Sequence, residues 1–203
     1  MHSVRLTCFL LGIWLAGGVF MAWVATENFR QVDRLLEHPN LQARLNFRTH
    51  ENPQNFGPGA ARMLLRYQAS EQNRFYFEAW ESVQVVLGSL LFFFLLFGTR
   101  EDKYSMGTVL GMLAIVAAQR LVLTPEITSL GRALDFVPAN AEALERGRFW
   151  LFHNLYSAAE LIKWAAALLL VTRLVVGHRR RRSGNAGKQL DVIDKADYRH
   201  IDR

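Results

Sequence analysis

Four apolar blocks decide what this chain can fold into: Leu6 to Ala25, Trp80 to Gly98, Ser105 to Leu123 and Phe149 to Val176. Each is long enough to cross a hydrocarbon core about 30 Å thick, which takes roughly 20 helical residues. In lipid every backbone polar group must be satisfied within its own segment, so blocks of this kind are read as helices. The expected fold is an all-α four-helix transmembrane bundle. The first block could also be a signal peptide, because Arg5 precedes it. Its apolar run is longer than a signal core, however, and bulky Trp23 stands two positions before the best exit at Ala25, so an uncleaved first span is preferred.

Charge fixes the orientation. From Arg173 onward nine Lys or Arg face four Asp, and these residues carry +5 of the net charge of +6. Arg179, Arg180, Arg181 and Arg182 follow the last block directly, as a topology signal and a contact for anionic lipid headgroups. A nucleic-acid partner is therefore not expected. The C-terminus is assigned to the cytoplasm, and four spans put the N-terminus there too, in the inner membrane of a cell. The first connection, residues 26–79, holds seven arginines but also six acidic residues, and translocation of so long a connection depends less on its charge.

That connection carries its own pattern. Phe29, Val32, Leu35 and Leu36 recur at helical spacing up to Pro39, and Met63, Leu64, Tyr67 and Phe75 do so on the return. Helices 1 and 2 are thus expected to extend outside the membrane, with a turn region rich in Pro and Gly between them and a short helix at residues 41–47. The third connection, residues 124–148, is expected to break at Pro125, form an interfacial helix around residues 127–136, and break again at Pro138. Residues 1–178 then form the membrane domain, and residues 179–203 a polar tail too poor in apolar residues to fold alone. Small residues Gly107, Gly111, Ala114 and Ala118 in span 3, with Ala16, Gly17 and Gly18 in span 1, permit close helix contact, within the bundle or in a homo-oligomer or membrane complex.

The spans are not uniformly apolar. Glu27 ends span 1; Glu78, Glu81 and Gln84 open span 2; Gln119 and Arg120 close span 3; His153, Tyr156, Glu160 and Lys163 form one stripe on span 4. By the assigned topology all lie toward the outer side. A lone charge at the centre of a span costs roughly 2.5–3.5 kcal/mol on insertion scales, so these stripes should face each other or a water-filled cavity. Glu160 and Lys163 can pair along their own helix, and Arg120 can serve Glu81, Glu78 or Glu160. Acidic groups outnumber basic ones, which leaves room for a bound cation or proton. Three readings stay open: ion pairs that only orient the bundle, a site for a proton, ion or small molecule, and a metal or haem site. For the last, Glu78, Glu81 and His153 are the available ligands, but His153 is the one histidine inside a span where a bundle haem wants two, and no di-iron Glu-x-x-His repeat is present. No nucleophile elbow, phosphate loop or His-Glu-x-x-His zinc motif occurs, no catalytic residue is assigned, and the cofactor is unknown. Cys8 is the only cysteine and reads as a small apolar residue. Trp23, Trp80 and Trp150 read as interfacial anchors, and only Trp14 lies too deep for that.

Trp14 followed by Gly17 and Gly18, and a last span opening with His153 and Asn154, are similar to their counterparts in a bacterial family of small four-span proteins classed as a domain of unknown function. That family is distantly similar to the membrane domain of copper-resistance D proteins and to a eukaryotic group of four-span proteins. The layout is shared from Leu6 to Val176, the residues only in the first and fourth spans. The resemblance implies a membrane location and not an activity. The function expected from the sequence is that of a multi-pass integral membrane protein, transporter-like or associated with a complex, with a membrane metal or haem protein or a membrane enzyme as the alternative.

Overall fold

The structure, a computed structural model, describes residues 2–38, 58–98, 103–137 and 144–197. It is all-helical over these residues. Helix α1 is His2–Glu37, α2 is Pro58–Gly98, α3 is Lys103–Leu134 and α4 is Leu144–Asp197. Val4–Glu37, Ala61–Phe97 and Lys103–Leu134 are long and apolar enough to cross a membrane, compatible with a membrane-embedded protein. The first connection ends as its periodicity predicts, with α1 running to Glu37 and α2 starting at Pro58. The short helix expected at residues 41–47 lies outside the described residues. At the other end, α4 continues as regular backbone through the arginine block to Asp197, where the composition suggested a tail unable to fold alone. Arg179 to Arg182, Ala186, Lys188, Gln189 and Leu190 favour helix locally, whereas Gly184, Asn185 and Gly187 do not.

The core lies among all four helices, where Leu10, Leu11 and Trp14 of α1 meet Leu87, Leu91 and Leu95 of α2, Val109, Met112 and Val116 of α3, and Ala167, Leu170 and Leu174 of α4. Close approach depends on Gly17 and Gly18. A Cβ on Gly17 would run into the Trp80 indole of α2, and one on Gly18 into Trp164 of α4. Trp80 is thus a packing residue, 9% exposed, and not the interfacial anchor its position suggested, whereas Trp23 and Trp150 are 58% and 54% exposed. Gly107 and Gly111 of α3 have no neighbour within Cβ range, so that small-residue stripe is unused inside the described chain. Large apolar side chains cover the outward faces of all four helices, among them Phe20, Phe93, Leu121 and Leu169. In water such a surface would aggregate, but in lipid it is the expected one.

The extensions are locked together by polar side chains. Asn28 Nδ2 donates to Asn73 Oδ1 at 2.6 Å, and Asn73 Nδ2 donates to the Ala25 carbonyl at 3.0 Å. Arg62 reaches Asp33 and Glu37, each at 3.2 Å.

Pro125 does not end α3. The helix is α-helical over Lys103–Ala118, π-helical over Gln119–Leu123, and α-helical again over Thr124–Leu134. Proline lacks an N–H and its ring crowds the carbonyl four residues back. Widening the preceding turn relieves both, and the Thr124 N–H bonds to the Gln119 carbonyl five residues back. The break expected at Pro125 is therefore a change of pitch.

Candidate functional site

The π-helical turn sets up the site. Five residues along an α-helix differ by about 140° in direction, whereas the i to i+5 bond of a π-turn stacks them on one side. Gln119 and Thr124 consequently both point inward, 0% and 7% exposed, where they meet α2 and α4.

Lys163 of α4 is the centre. Its side chain is fully buried, and its Nζ donates to Glu160 Oε1 at 2.8 Å, Gln84 Oε1 at 2.7 Å and Gln119 Oε1 at 2.5 Å. These three bonds use all three donors of an ammonium. Below the nitrogen, the Trp14 ring of α1 lies 6.0 Å away, at the edge of the range in which an aromatic face attracts a cation. Gln119 Nε2 in turn donates to Glu160 Oε1 and to the Tyr156 carbonyl, both at 3.3 Å. One polar centre thus ties α2, α3 and α4 together.

Glu81 forms the adjoining half. It is fully buried, and Thr124 Oγ1 donates to its Oε1 at 2.5 Å. Arg120 stands at the margin, 46% exposed and 4.0 Å from Glu81 Oε2. Its Nη1 donates instead to the Glu78 carbonyl at 3.1 Å and Ser82 Oγ at 3.0 Å. Tyr156 is buried beside both Glu81 and Glu160, with its hydroxyl near Glu81 but outside hydrogen-bond geometry.

The centre is incompletely satisfied. Among the described residues, Glu81 Oε2, Glu160 Oε2, Gln84 Nε2, the Tyr156 hydroxyl and the indole nitrogens of Trp14, Trp80 and Trp164 are buried without a hydrogen-bond partner. Each such group costs about 1–3 kcal/mol where it could have been paired. Acceptors and donors lie in one interior that also holds two carboxylates and a single ammonium.

Glu81, Gln84, Arg120, Tyr156, Glu160 and Lys163 are brought together. Glu27, Glu78 and His153 are not. Glu27 pairs on its own helix with Arg34 at 2.9 Å and Gln31 at 3.0 Å. Glu78 and His153 are exposed, and His153 rests against Phe149 and Trp150 with ring centroids 5.8 and 5.5 Å away. Three-residue steps explain the separation: each falls about 60° short of a full turn, so Glu78 ends about 120° from Gln84, and His153 about 80° from Lys163. Among the described residues no three His, Cys, Asp or Glu side chains converge as a metal site would need. The Arg179 to Arg182 side chains lie outside the described ones.

Sequence reasoning missed Thr124 and Trp164. Thr124 reads as the start of a loop before proline, and only the Gln119 to Pro125 spacing could have hinted at a wide turn. No protein-family model, curated protein or solved structure matches this chain.

Proposed function

We propose that this chain is a four-span, transporter-like integral membrane protein whose buried polar centre binds and passes a small cation, in the simplest case the proton. The observation that carries this reading is the imbalance inside the bundle. Two carboxylates, Glu81 and Glu160, face one buried ammonium, and each keeps one oxygen without a hydrogen bond, although the half-exposed Arg120 stands 4.0 Å from that of Glu81. Removing charges from water costs several kcal/mol per ion even after relaxation, and a cation held between the free oxygens offsets that cost. An intramembrane ionisable group is by default a functional candidate.

The fourth span belongs to the same proposal. Its polar residues Tyr156, Glu160 and Lys163 turn inward, while Leu161, Ile162, Leu168 and Leu169 are exposed, so the face offered to lipid is apolar. Residence in the inner membrane, both termini in the cytoplasm and headgroup contact through Arg179 to Arg182 follow from the charge bias. Kinship with the four-span family is inferred from Trp14, Gly17 and Gly18, all three of which make contacts between helices, and from His153 and Asn154 near the start of α4.

Proteoliposomes loaded with a pH-sensitive dye and energised by a potassium diffusion potential test the function. The wild type should acidify the lumen faster than empty vesicles, and Glu81→Gln, which keeps the shape and the Thr124 contact, should bring the rate to background. A wild type no faster than empty vesicles, or a Glu81→Gln variant as fast as the wild type, rules out proton passage through this centre.

A further inference from the structure

Above the buried centre, α2, α3 and α4 diverge around a groove of about 590 Å³. It begins at Gly59, near the start of α2, and follows one face of that helix through Arg66, Ser70 and Asn73 to Phe77. On the proposed topology this is the outer end of the bundle. Phe77 meets Tyr156 of α4, ring centroids 5.6 Å apart, and Thr124 and Tyr156 are the innermost residues that α3 and α4 contribute to the lining. One turn farther along the same face of α2 stands Glu81. The groove and the buried centre are thus separated by a single helical step, about 6 Å.

Two contacts fix how α2 and α4 stand here. Phe77 packs on Tyr156, and Gln84 Oε1 accepts from Lys163 at 2.7 Å. Each pair is 79 positions apart in sequence, so the two helices run in the same direction and in register. Glu81 and Glu160, also 79 positions apart, therefore share one level between those contacts, just behind the Phe77–Tyr156 rings. Glu81 is fully buried, so solvent does not touch it. One side chain belongs to both sides of this seal: Thr124 lines the groove, and its Oγ1 donates to Glu81 Oε1 at 2.5 Å. A hydroxyl that donates one hydrogen bond still accepts others. The other approach to Glu81 passes Arg120, whose neighbours Leu121 and Val122 are exposed apolar side chains, a surface suited to lipid and not to water. Along the groove, Arg62 pairs with Asp33 and Glu37, Arg74 pairs with Glu71 and Asp135, and Arg146 is likewise engaged. Arg66 stands eleven residues, about 16 Å, above Phe77.

We infer that this groove is the entry route from outside to Glu81, and that it admits protons alone, relayed by the Thr124 hydroxyl. The inference rests on the reading of the centre as a cation site and narrows that cation to the proton. In each transfer a hydronium at the inner end of the groove gives a proton to Thr124 Oγ1, while the proton already on Oγ1 passes to Glu81 Oε1. One O–H bond breaks on the hydronium and one on Thr124, and one forms on each of Oγ1 and Oε1, leaving a water, the hydroxyl and a carboxylic acid. The hydroxyl then turns back to its starting geometry. A metal ion would need an opening as wide as itself, which the buried Glu81 does not offer. A proton needs only the hydrogen bond.

Deuterium exchange at Glu81 tests the route without requiring transport. The full chain in phosphatidylcholine nanodiscs is moved from light into heavy water at a series of pH values, and infrared spectroscopy follows the carboxylic-acid C=O stretch that Glu81→Gln removes. Thr124→Val keeps the branched shape and loses the hydroxyl. It should slow the isotope shift of this band about a hundredfold, the low end of what a positioned proton-transfer group contributes, and Thr124→Ser should restore the wild-type rate. Ser70→Trp or, independently, Thr128→Trp should slow it comparably by filling the groove, whereas Phe93→Trp on the outward apolar face should not, with thermal unfolding confirming that each variant tested is folded. Exchange at the wild-type rate in Thr124→Val, or in both filled variants, overturns the route and leaves the cation reading standing. A wild type without any carboxylic band that depends on Glu81 overturns the route and, with it, the proton as the cation. Exchange that behaves as expected beside proteoliposomes no faster than empty vesicles upholds the entry route and ends the claim of passage.

Discussion

Lys163→Met is expected to lower the unfolding free energy by about 3–5 kcal/mol, the range found when one member of a buried ion pair is removed. Methionine fills much of the same volume, so the loss reports charge and hydrogen bonding, not a void. It strips Glu160 of its ammonium at 2.8 Å and leaves Gln84 Oε1 and Gln119 Oε1 without the donor that each had. Polar contacts between membrane helices average nearer 0.6 kcal/mol when both partners stay neutral, so a loss above about 3 kcal/mol points to the stranded carboxylate. Adding Glu160→Gln should restore most of it, because a neutral amide tolerates the loss of its partner. Lys103→Met on the exposed start of α3 should change nothing. Unfolding of the purified variants by heat or by denaturant in detergent supplies the comparison, and a double variant as unstable as the single one would mean that the charge is not what Lys163 contributes.

Arg74→Ala should destabilise the packing of α2 against the end of α3 by about 2–5 kcal/mol. Arg74 joins α2 to the end of α3, contacting both Asp135 oxygens, while its Nη1 donates to Glu71 at 2.6 Å. Its side chain is 12% exposed and that of Asp135 6% exposed, so water cannot replace the lost partner at Asp135. Asp135→Asn should recover much of the loss in the double variant. Glu71 retains Arg132, whose Nε lies at 3.1 Å, and adds little. Arg74→Lys should rescue poorly, since a single ammonium cannot reproduce contacts to two carboxylates in one plane. Gly131 leaves the room that Arg74 needs: a Cβ there would come within 2.9 Å of its guanidinium, so Gly131→Val should reproduce part of the Arg74→Ala loss. Equal stability of Arg74→Ala and wild type in the same unfolding assay would contradict the assignment.

Much of the helical layout was legible because it follows from the spacing of apolar residues and from breakers. α1 ends at Glu37, just before Pro39, and α2 begins at Pro58, and the Glu160–Lys163 pair is a plain i, i+3 contact. What was not legible depends on where a helix face points after several turns. A polar stripe written in threes drifts around its axis, so Glu78 and His153 carry the right chemistry on the wrong side. Pro125 could break a helix or widen one, and the choice rests on packing that makes a π-turn worthwhile, with Thr124 gaining Glu81 and Gln119 gaining Lys163. The Gly107 and Gly111 stripe shows the converse. Its composition permits close helix contact, yet the described helices of this chain do not use it.

The account depends most on α4 crossing the membrane, because only then does Lys163 lie at membrane depth with the carboxylates around it. Paired reporter fusions, one active only in the cytoplasm and one only outside it, test this directly when placed after Gly177, with controls near Pro53 and at Gly98. The account predicts an external signal near Pro53 and cytoplasmic signals at Gly98 and after Gly177. An external signal after Gly177 with the controls unchanged would mean three spans, with α4 outside the bilayer, and would contradict the buried intramembrane centre.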